Sequence, residues 1–280
     1  MDDDSTTRDV VVVTGTGGMG RAIARRLGSG RQVVLADASE AQLTAAADGL
    51  RDAGYRVHAQ PTDVSSKDDV LALARTASGL GSIRTLVHTA GVSPVQATPE
   101  RIVDVDVVGT ARVLDAFEPH VQPGTVAVCI ASMAGTMTEL PPEILHVLAT
   151  TPTDELRALP VLDPATIDPG AAYGIAKRAN QVRVEAASVA WGRRGGRVVS
   201  ISPGVIATPM GQSELAGPFG DVMRTMIETS GTGRIGTPDD IAAAVEFLAG
   251  PAASFITGTD LRVDGGVVAA MRSTAGPSQP

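Results

Sequence analysis

The sequence predicts an α/β fold: a single doubly wound parallel sheet of about seven strands with helices on both faces. Three observations lead there. Short β-branched runs alternate with Ala-rich helical stretches along the 280 residues. Hydrophobic residues make up 43% of the chain and charged residues only 19%, enough apolar surface for a sheet covered on both sides. A glycine-rich turn joins the first β-branched run to the first helical stretch.

Val10-Val11-Val12-Val13 reads as the first buried strand, followed by the glycine turn and a helix over 19–27. Residues 32–36 form the second strand and 41–53 the second helix. Further strands are expected at 56–60, 85–88, 125–131 and 197–201, and 261–263 closes the sheet. Right-handed crossovers then set the ligand-bearing loops at the carboxyl ends of the strands. The chain reads as one domain over 1–280, with an insertion at about 136–169 and a disordered tail from about 273. Pro141, Pro142, Pro152, Pro160, Pro164 and Pro169 mark the insertion, which also holds short amphipathic stretches at 143–148 and 154–159. Two readings of it stand side by side: a lid over a substrate, or a surface excursion used for packing or subunit contacts.

Composition removes several function classes. A net charge of −8 with scattered arginines, and only 2% aromatic residues, argue against a nucleic-acid partner. The start Met1-Asp2-Asp3-Asp4 is unlike a signal peptide and no apolar run approaches ~20 residues, so no membrane partner and a cytoplasmic location are expected. Cys129 is the single cysteine, and His58, His88, His120 and His146 fall in separate segments, so neither a disulfide nor a metal site is expected. Cys129 lies in an apolar run and reads as a buried, inert thiol.

Two constellations carry chemistry. Gly15-Thr16-Gly17-Gly18-Met19-Gly20 contains G-x-G-x-x-G at Gly15, Gly17 and Gly20, directly after a strand and opening a helix. Glycines there let the backbone approach a pyrophosphate at the positive helix terminus. Asp37 follows 22 residues after Gly15 at the end of the second strand, where a carboxylate accepts from both hydroxyls of an adenine ribose and repels a 2′-phosphate; the spacing favours NAD over NADP. An Asp before Ser39 also suits a helix cap. Farther on, Tyr173 and Lys177 stand four apart and therefore share a helix face, which places an ammonium where it stabilises a phenolate.

These features occur in a fixed order with Asp63-Val64, His88-Thr89-Ala90-Gly91, Ser132, Pro203-Gly204 with Thr208, and Asp264-Gly265-Gly266. On them the sequence, from Val10 to about Val268, resembles the short-chain dehydrogenases/reductases, a family with a Rossmann-like fold. The resemblance implies an NAD-dependent oxidoreductase in which Tyr173 is the general acid in reduction and the base in oxidation. Ser132 would hydrogen-bond the substrate oxygen, and Lys177 would bind the nicotinamide ribose and lower the Tyr173 pKa. Gly15, Gly17, Gly18, Met19 and Gly20 would hold the pyrophosphate, Asp37 the ribose, and Asp63 with Val64 the adenine. Thr89, Ala90 and Gly91 would line the cofactor, the last two leaving room beside it. Pro203 and Gly204 would flank its nicotinamide end, with Ile206 and Thr208 on the carboxamide.

The sequence departs from the family pattern at four points. The glycine turn is one residue shorter than usual. Asp106 replaces an Asn whose backbone carbonyl would hold a helix kink and a water of the proton relay, a catalytic part that Asp106 would fill through its main chain. Ser200 stands for an Asn before Pro203-Gly204. Tyr173 lies 41 residues after Ser132, far more than in most members. That gap, with the Pro251-Ala252-Ala253-Ser254 and Asp264-Gly265-Gly266 phrases, resembles the 3α-hydroxysteroid dehydrogenase/carbonyl reductase branch and implies an apolar alcohol or ketone, steroid-like or otherwise alicyclic. Met210, Leu215, Phe219, Met223 and Met226 suit either a hydrophobic cleft or ordinary core packing. A homodimer or homotetramer is implied, formed through the Tyr173 helix and the helix over 238–248. A catalytically silent NAD-binding sensor or scaffold is the alternative, and retention of Ser132, Tyr173 and Lys177 together speaks for the enzyme.

Overall fold

The computed structural model describes residues 8–274. Its seven strands are β1 (Asp9–Thr14), β2 (Gln32–Asp37), β3 (Arg56–Pro61), β4 (Ser82–His88), β5 (Val126–Ile130), β6 (Arg197–Pro203) and β7 (Asp260–Val263). They form one sheet in the order β3-β2-β1-β4-β5-β6-β7, and every pairing is parallel. The order reverses between β1 and β4, which opens a crevice at the carboxyl ends of those two strands.

The helices are α1 (Gly18–Leu27), α2 (Glu40–Asp52), α3 (Lys67–Leu80), α4 (Pro99–Ile102), α5 (Thr110–Phe117), α6 (Met133–Met137), α7 (Pro142–Thr150), α8 (Pro169–Arg193), α9 (Pro209–Leu215), α10 (Gly220–Thr229), α11 (Pro238–Ala249) and α12 (Val267–Thr274). The four valines of β1 are fully buried and divide by strand period. Val11 and Val13 face Ile23, Leu43, Ile241 and Val245 of α1, α2 and α11. Val10 and Val12 face Leu73, Phe117, Val184 and Trp191 of α3, α5 and α8. Each such valine contributes about 1.5–3 kcal/mol of burial, which explains a strand with no polar face. The expected tail begins inside α12, which reaches Thr274; the rest of it, 275–280, and the acidic start lie outside the described residues. No helix among the described residues is long and apolar enough to cross a membrane. They also hold no group of three or more His, Cys, Asp or Glu side chains that could bind a metal.

The insertion folds as α7 followed by 3-10 turns at Thr153–Ala158 and Pro160–Leu162. Its fully buried Leu148, Leu156 and Leu162 pack on Ala172, Ala176 and Ala179 of α8 and on Ile102 and Val107. Arg183 of α8 donates to the carbonyls of Leu148 and Thr151, both at 3.0 Å. Arg157 bridges Glu100 and Asp104, and Lys67 pairs with Asp154. The insertion therefore covers the outer face of α8 and contributes only Met137 to the cleft that holds Ser132 and Tyr173.

Candidate active site

Two contiguous cavities lie at the carboxyl edge of the sheet. The first, about 380 Å³, is a groove along the ends of β1 to β4, lined by Gly15, Gly17, Gly18, Met19 and Gly20, by Asp37, Asp63 and Val64, and by Thr89, Ala90 and Gly91. Gly15 takes φ +84° to turn the chain out of β1. A Cβ on Gly20 would collide with the Gly15 carbonyl, so the shortened turn closes tightly on itself. Gly17 opens α1 with no side chain capping it and no acidic residue in its first turn. Bare N–H groups at a positive helix end fit an anion such as a pyrophosphate.

Asp37 serves the turn as well as the groove. Its Oδ2 accepts from Thr16 N at 2.6 Å and Thr16 Oγ1 at 2.8 Å, and its Oδ1 accepts from Ser39 N at 2.8 Å. The cap of α2 is Ser39 itself, so the capping alternative for Asp37 does not hold. Burial pushes the Asp63 carboxyl up, but hydrogen bonds from Ser65 and the Arg101 guanidinium outweigh it and hold the group below its usual value. Arg101 also lines the groove, a position the motif order gave no reason to single out.

The second cavity, about 340 Å³, follows the ends of β5 and β6. Ser132 caps α6, its Oγ accepting from Ala134 N at 3.1 Å. Tyr173 projects from the first turns of α8. Gly135 allows the two helices to meet, since a Cβ there would come within 2.6 Å of the Lys177 carbonyl carbon. Pro203, Gly204 and Ile206 line this cleft rather than the groove, while Met19, Thr208 and Met210 line both and mark where they join. Met210, Phe219, Met223 and Met226 form much of the wall. Met223, Met226 and Leu215 also pack on Met133, Val205 and Val268, so both readings of that segment hold at once. Glu214, four residues after Met210 and on the same helix face, lines the cleft too. An acidic residue at that spacing was the available signal.

Lys177 lies buried one turn beyond Tyr173, its ammonium 5.3 Å from the ring centroid. The partner of that ammonium is Asp106, whose Oδ2 lies 3.5 Å away and has no hydrogen-bond donor. Asp106 Oδ1 accepts from Val92 N at 2.9 Å. Asp106 sits in a π-helical turn, Val103–Gly109, between α4 and α5, and its carbonyl accepts from Thr110 Oγ1 at 2.8 Å. The helix departs from α geometry at this position, and the Asp106 side chain, not only its main chain, faces Lys177.

The charge balance differs from the simple expectation for Tyr173. Lys177 does pull the phenol pKa down, but burial first, and then Asp106 and Glu214, push it up, and the upward causes prevail. Burial lowers the Lys177 pKa, yet Asp106 and Tyr173 together raise it and keep the ammonium charged. Burial pushes Asp106 up against the pull of Lys177. His88, fully buried between Thr14 Oγ1 at 2.7 Å and Thr110 Oγ1 at 3.0 Å, is driven by burial to about 3 and stays neutral. Cys129 is buried and its thiol is pushed up to about 12, inert as expected. Ser200, in place of the family's Asn, donates to Asp260 Oδ1 at 2.6 Å and ties β6 to β7.

Family models match two stretches of the chain: short chain dehydrogenase over residues 9–140, and enoyl-(acyl carrier protein) reductase over 164–268. The insertion fills the interval between them. The chain belongs to the short-chain dehydrogenase/reductase family. Short-chain dehydrogenase/reductase bsc3 of Alternaria brassicicola is 40% identical, over 94% of this chain and 97% of the relative. Cis-4-hydroxycyclohexanecarboxylate dehydrogenase of Sinomonas cyclohexanicum is 33% identical, over 93% and 96%. The 3-alpha-hydroxysteroid dehydrogenase/carbonyl reductase of Comamonas testosteroni is 30% identical, over 95% and 98%. Among solved structures, a glucose/ribitol dehydrogenase-type member from Brucella melitensis aligns with a TM-score of 0.73 at 28% identity, over 92% of this chain and 96% of that one.

Proposed function

We propose that the protein is an NAD(H)-dependent oxidoreductase that interconverts a secondary alcohol and a ketone on an apolar, alicyclic substrate. The observation that carries this reading is the meeting of two cavities: Ser132 and Tyr173 line an apolar cleft that opens, at Met19 and Thr208, into a glycine-lined groove with Asp37 at its far end. A bound nicotinamide supplies or accepts the hydride.

The rest falls to this chain. Gly17 and the bare start of α1 hold the pyrophosphate, and Asp37 accepts from a ribose hydroxyl with the one lone pair of Oδ1 that Thr16 and Ser39 leave free. Val64, with Asp63, borders the adenine. Thr208, where the two cavities join, and Ile206, on the cleft side, orient the nicotinamide end. Ser132 donates to the substrate oxygen and Tyr173 delivers or takes its proton. Lys177 is a fixed positive charge beside that phenol, anchored by Asp106. The methionine wall excludes water and accepts an irregular apolar ring.

The names of the Sinomonas and Comamonas relatives point toward alicyclic substrates, as does the cleft's apolar lining. The covered face of α8 removes one surface through which subunits would pack. Exposed Phe247 of α11, Leu261 of β7 and Phe255 between them then form the contact of a homodimer. Light scattering at the mass of a tetramer would overturn that part.

A panel of cyclic ketones and alcohols, assayed with NADH or NADPH and with the oxidised forms, tests the whole. Turnover with NADH bound more tightly than NADPH is the expected result. A clear preference for NADPH removes the role given to Asp37.

A further inference from the structure

Glu214 is the one carboxylate on the wall of the cleft. The other polar side chains there are Ser132, Thr208 and Tyr173, and the remainder are methionine, other apolar residues and glycine. Nearly every other carboxylate at this end of the molecule is engaged: Asp37 by Thr16 and Ser39, Asp63 by Ser65 and Arg101, Asp106 by Val92 and Lys177, Asp264 by Gly266 and Val268. No hydrogen bond or ion pair among the described residues engages the carboxylate of Glu214.

Its position is set by α9. Thr208 starts that helix, its Oγ1 accepting from Gly211 N at 3.1 Å, and Glu214 then falls one turn beyond Met210 on the cleft side. The group is close enough to the reacting centre to push the Tyr173 phenol up and to feel Lys177. Burial raises its own pKa, the sign of a carboxylate partly withdrawn from water without a partner. A substrate filling the cleft withdraws it further. Apolar contact there leaves the carboxylate unpaired, whereas a donor from the substrate restores what water gave.

We propose that Glu214 is a specificity-determining residue. It selects substrates whose apolar ring carries a hydrogen-bond-donating group, a hydroxyl or a protonated amine, away from the reacting carbon, and it rejects those with a carboxylate there. This rests on the reading of the cleft as the seat of an alcohol or ketone.

The test compares kcat/KM for NADH-dependent reduction of four 4-substituted cyclohexanones bearing hydroxyl, methoxy, dimethylammonium or carboxylate. Wild type, Glu214→Gln and Glu214→Leu are measured side by side, with circular dichroism to establish that each variant is folded. Wild type is expected to favour the hydroxyl compound over its methoxy counterpart and to turn over the carboxylate poorly. In Glu214→Leu the hydroxyl-to-methoxy ratio falls by about 10- to 100-fold, the range for losing a hydrogen bond to a charged acceptor. The near-isosteric Glu214→Gln keeps an acceptor, so it retains part of the hydroxyl preference while losing the preference for dimethylammonium. Turnover with ratios equal in all three proteins overturns the role of Glu214 alone. No turnover of any ketone by wild type, with either cofactor, removes the oxidoreductase reading and the role of Glu214 with it.

Discussion

The groove and the cleft share an edge but are built on opposite principles. The groove is framed by backbone and carboxylates at the ends of consecutive strands, from Gly15 after β1 to Gly91 after β4, with Thr208 and Met210 where it meets the cleft; Asp37 holds the turn after β1 and Asp63 its own loop. The cleft gathers side chains from stretches as far apart as Pro94 and Met226, and its walls are mostly methionine and other apolar groups. Binding a rigid, charged dinucleotide calls for fixed donors on a rigid frame. Discriminating among apolar rings calls for adaptable surface with one or two polar points, here Ser132, Tyr173 and Glu214.

The largest effect expected is on the chemistry at the junction. Tyr173→Phe removes the proton donor and lowers kcat by about 10²- to 10⁴-fold, while NADH binding, read by fluorescence titration, is largely kept. Undiminished turnover in this variant would break the distinction between a binding groove and a reacting cleft. Next comes the insertion, which reaches the cleft only through Met137. Leu156→Ala leaves a hole beside α8 and costs about 2–5 kcal/mol of unfolding free energy, with KM for ketones held near the wild-type value. A large rise in KM without loss of stability would restore the lid.

Asp37→Ala acts on the groove alone. Loss of a charged acceptor weakens NADH binding by about 1.5–3 kcal/mol and narrows the gap to NADPH, measured by titration with each. Equal loss for both cofactors would assign Asp37 to the Thr16 turn only. The smallest effect is a shift in pH dependence. In alcohol oxidation the phenolate is the working form, so kcat/KM rises as pH climbs through the Tyr173 pKa. Asp106 pushes that pKa up, as does Glu214, while Lys177 pulls it down and His88 is neutral. Asp106→Asn removes one upward push, and the rise moves to lower pH. A move to higher pH would show that Asp106 acts chiefly by keeping Lys177 charged.

Strand positions were legible because buried parallel strands are short β-branched runs, and β1, β2 and β3 begin or end within a residue or two of their expected limits. The strand β4 starts at Ser82 rather than 85, because Ser82, Ile83 and Arg84 pair with the start of β1 or lie along it, a contact with no local signature. Ser132, Tyr173 and the glycines were legible as types at fixed spacings. The partner of Lys177 was not, since Asp106 reaches it across more than seventy residues of chain. Nor was the packing of the insertion on α8, because its apolar stretches carry the same pattern whether they cover a substrate or a helix.

The amino-acid order by itself determined the parallel sheet, the glycine turn and the phenol with its ammonium, since each depends on backbone conformation or helix periodicity within a few residues. Only the tertiary structure decided that Asp106 pairs with that ammonium, that the insertion armours α8, and that Glu214 faces a methionine wall. Those outcomes depend on which distant surfaces exclude water between them, and desolvation is a property of the packed assembly that no local stretch of sequence contains.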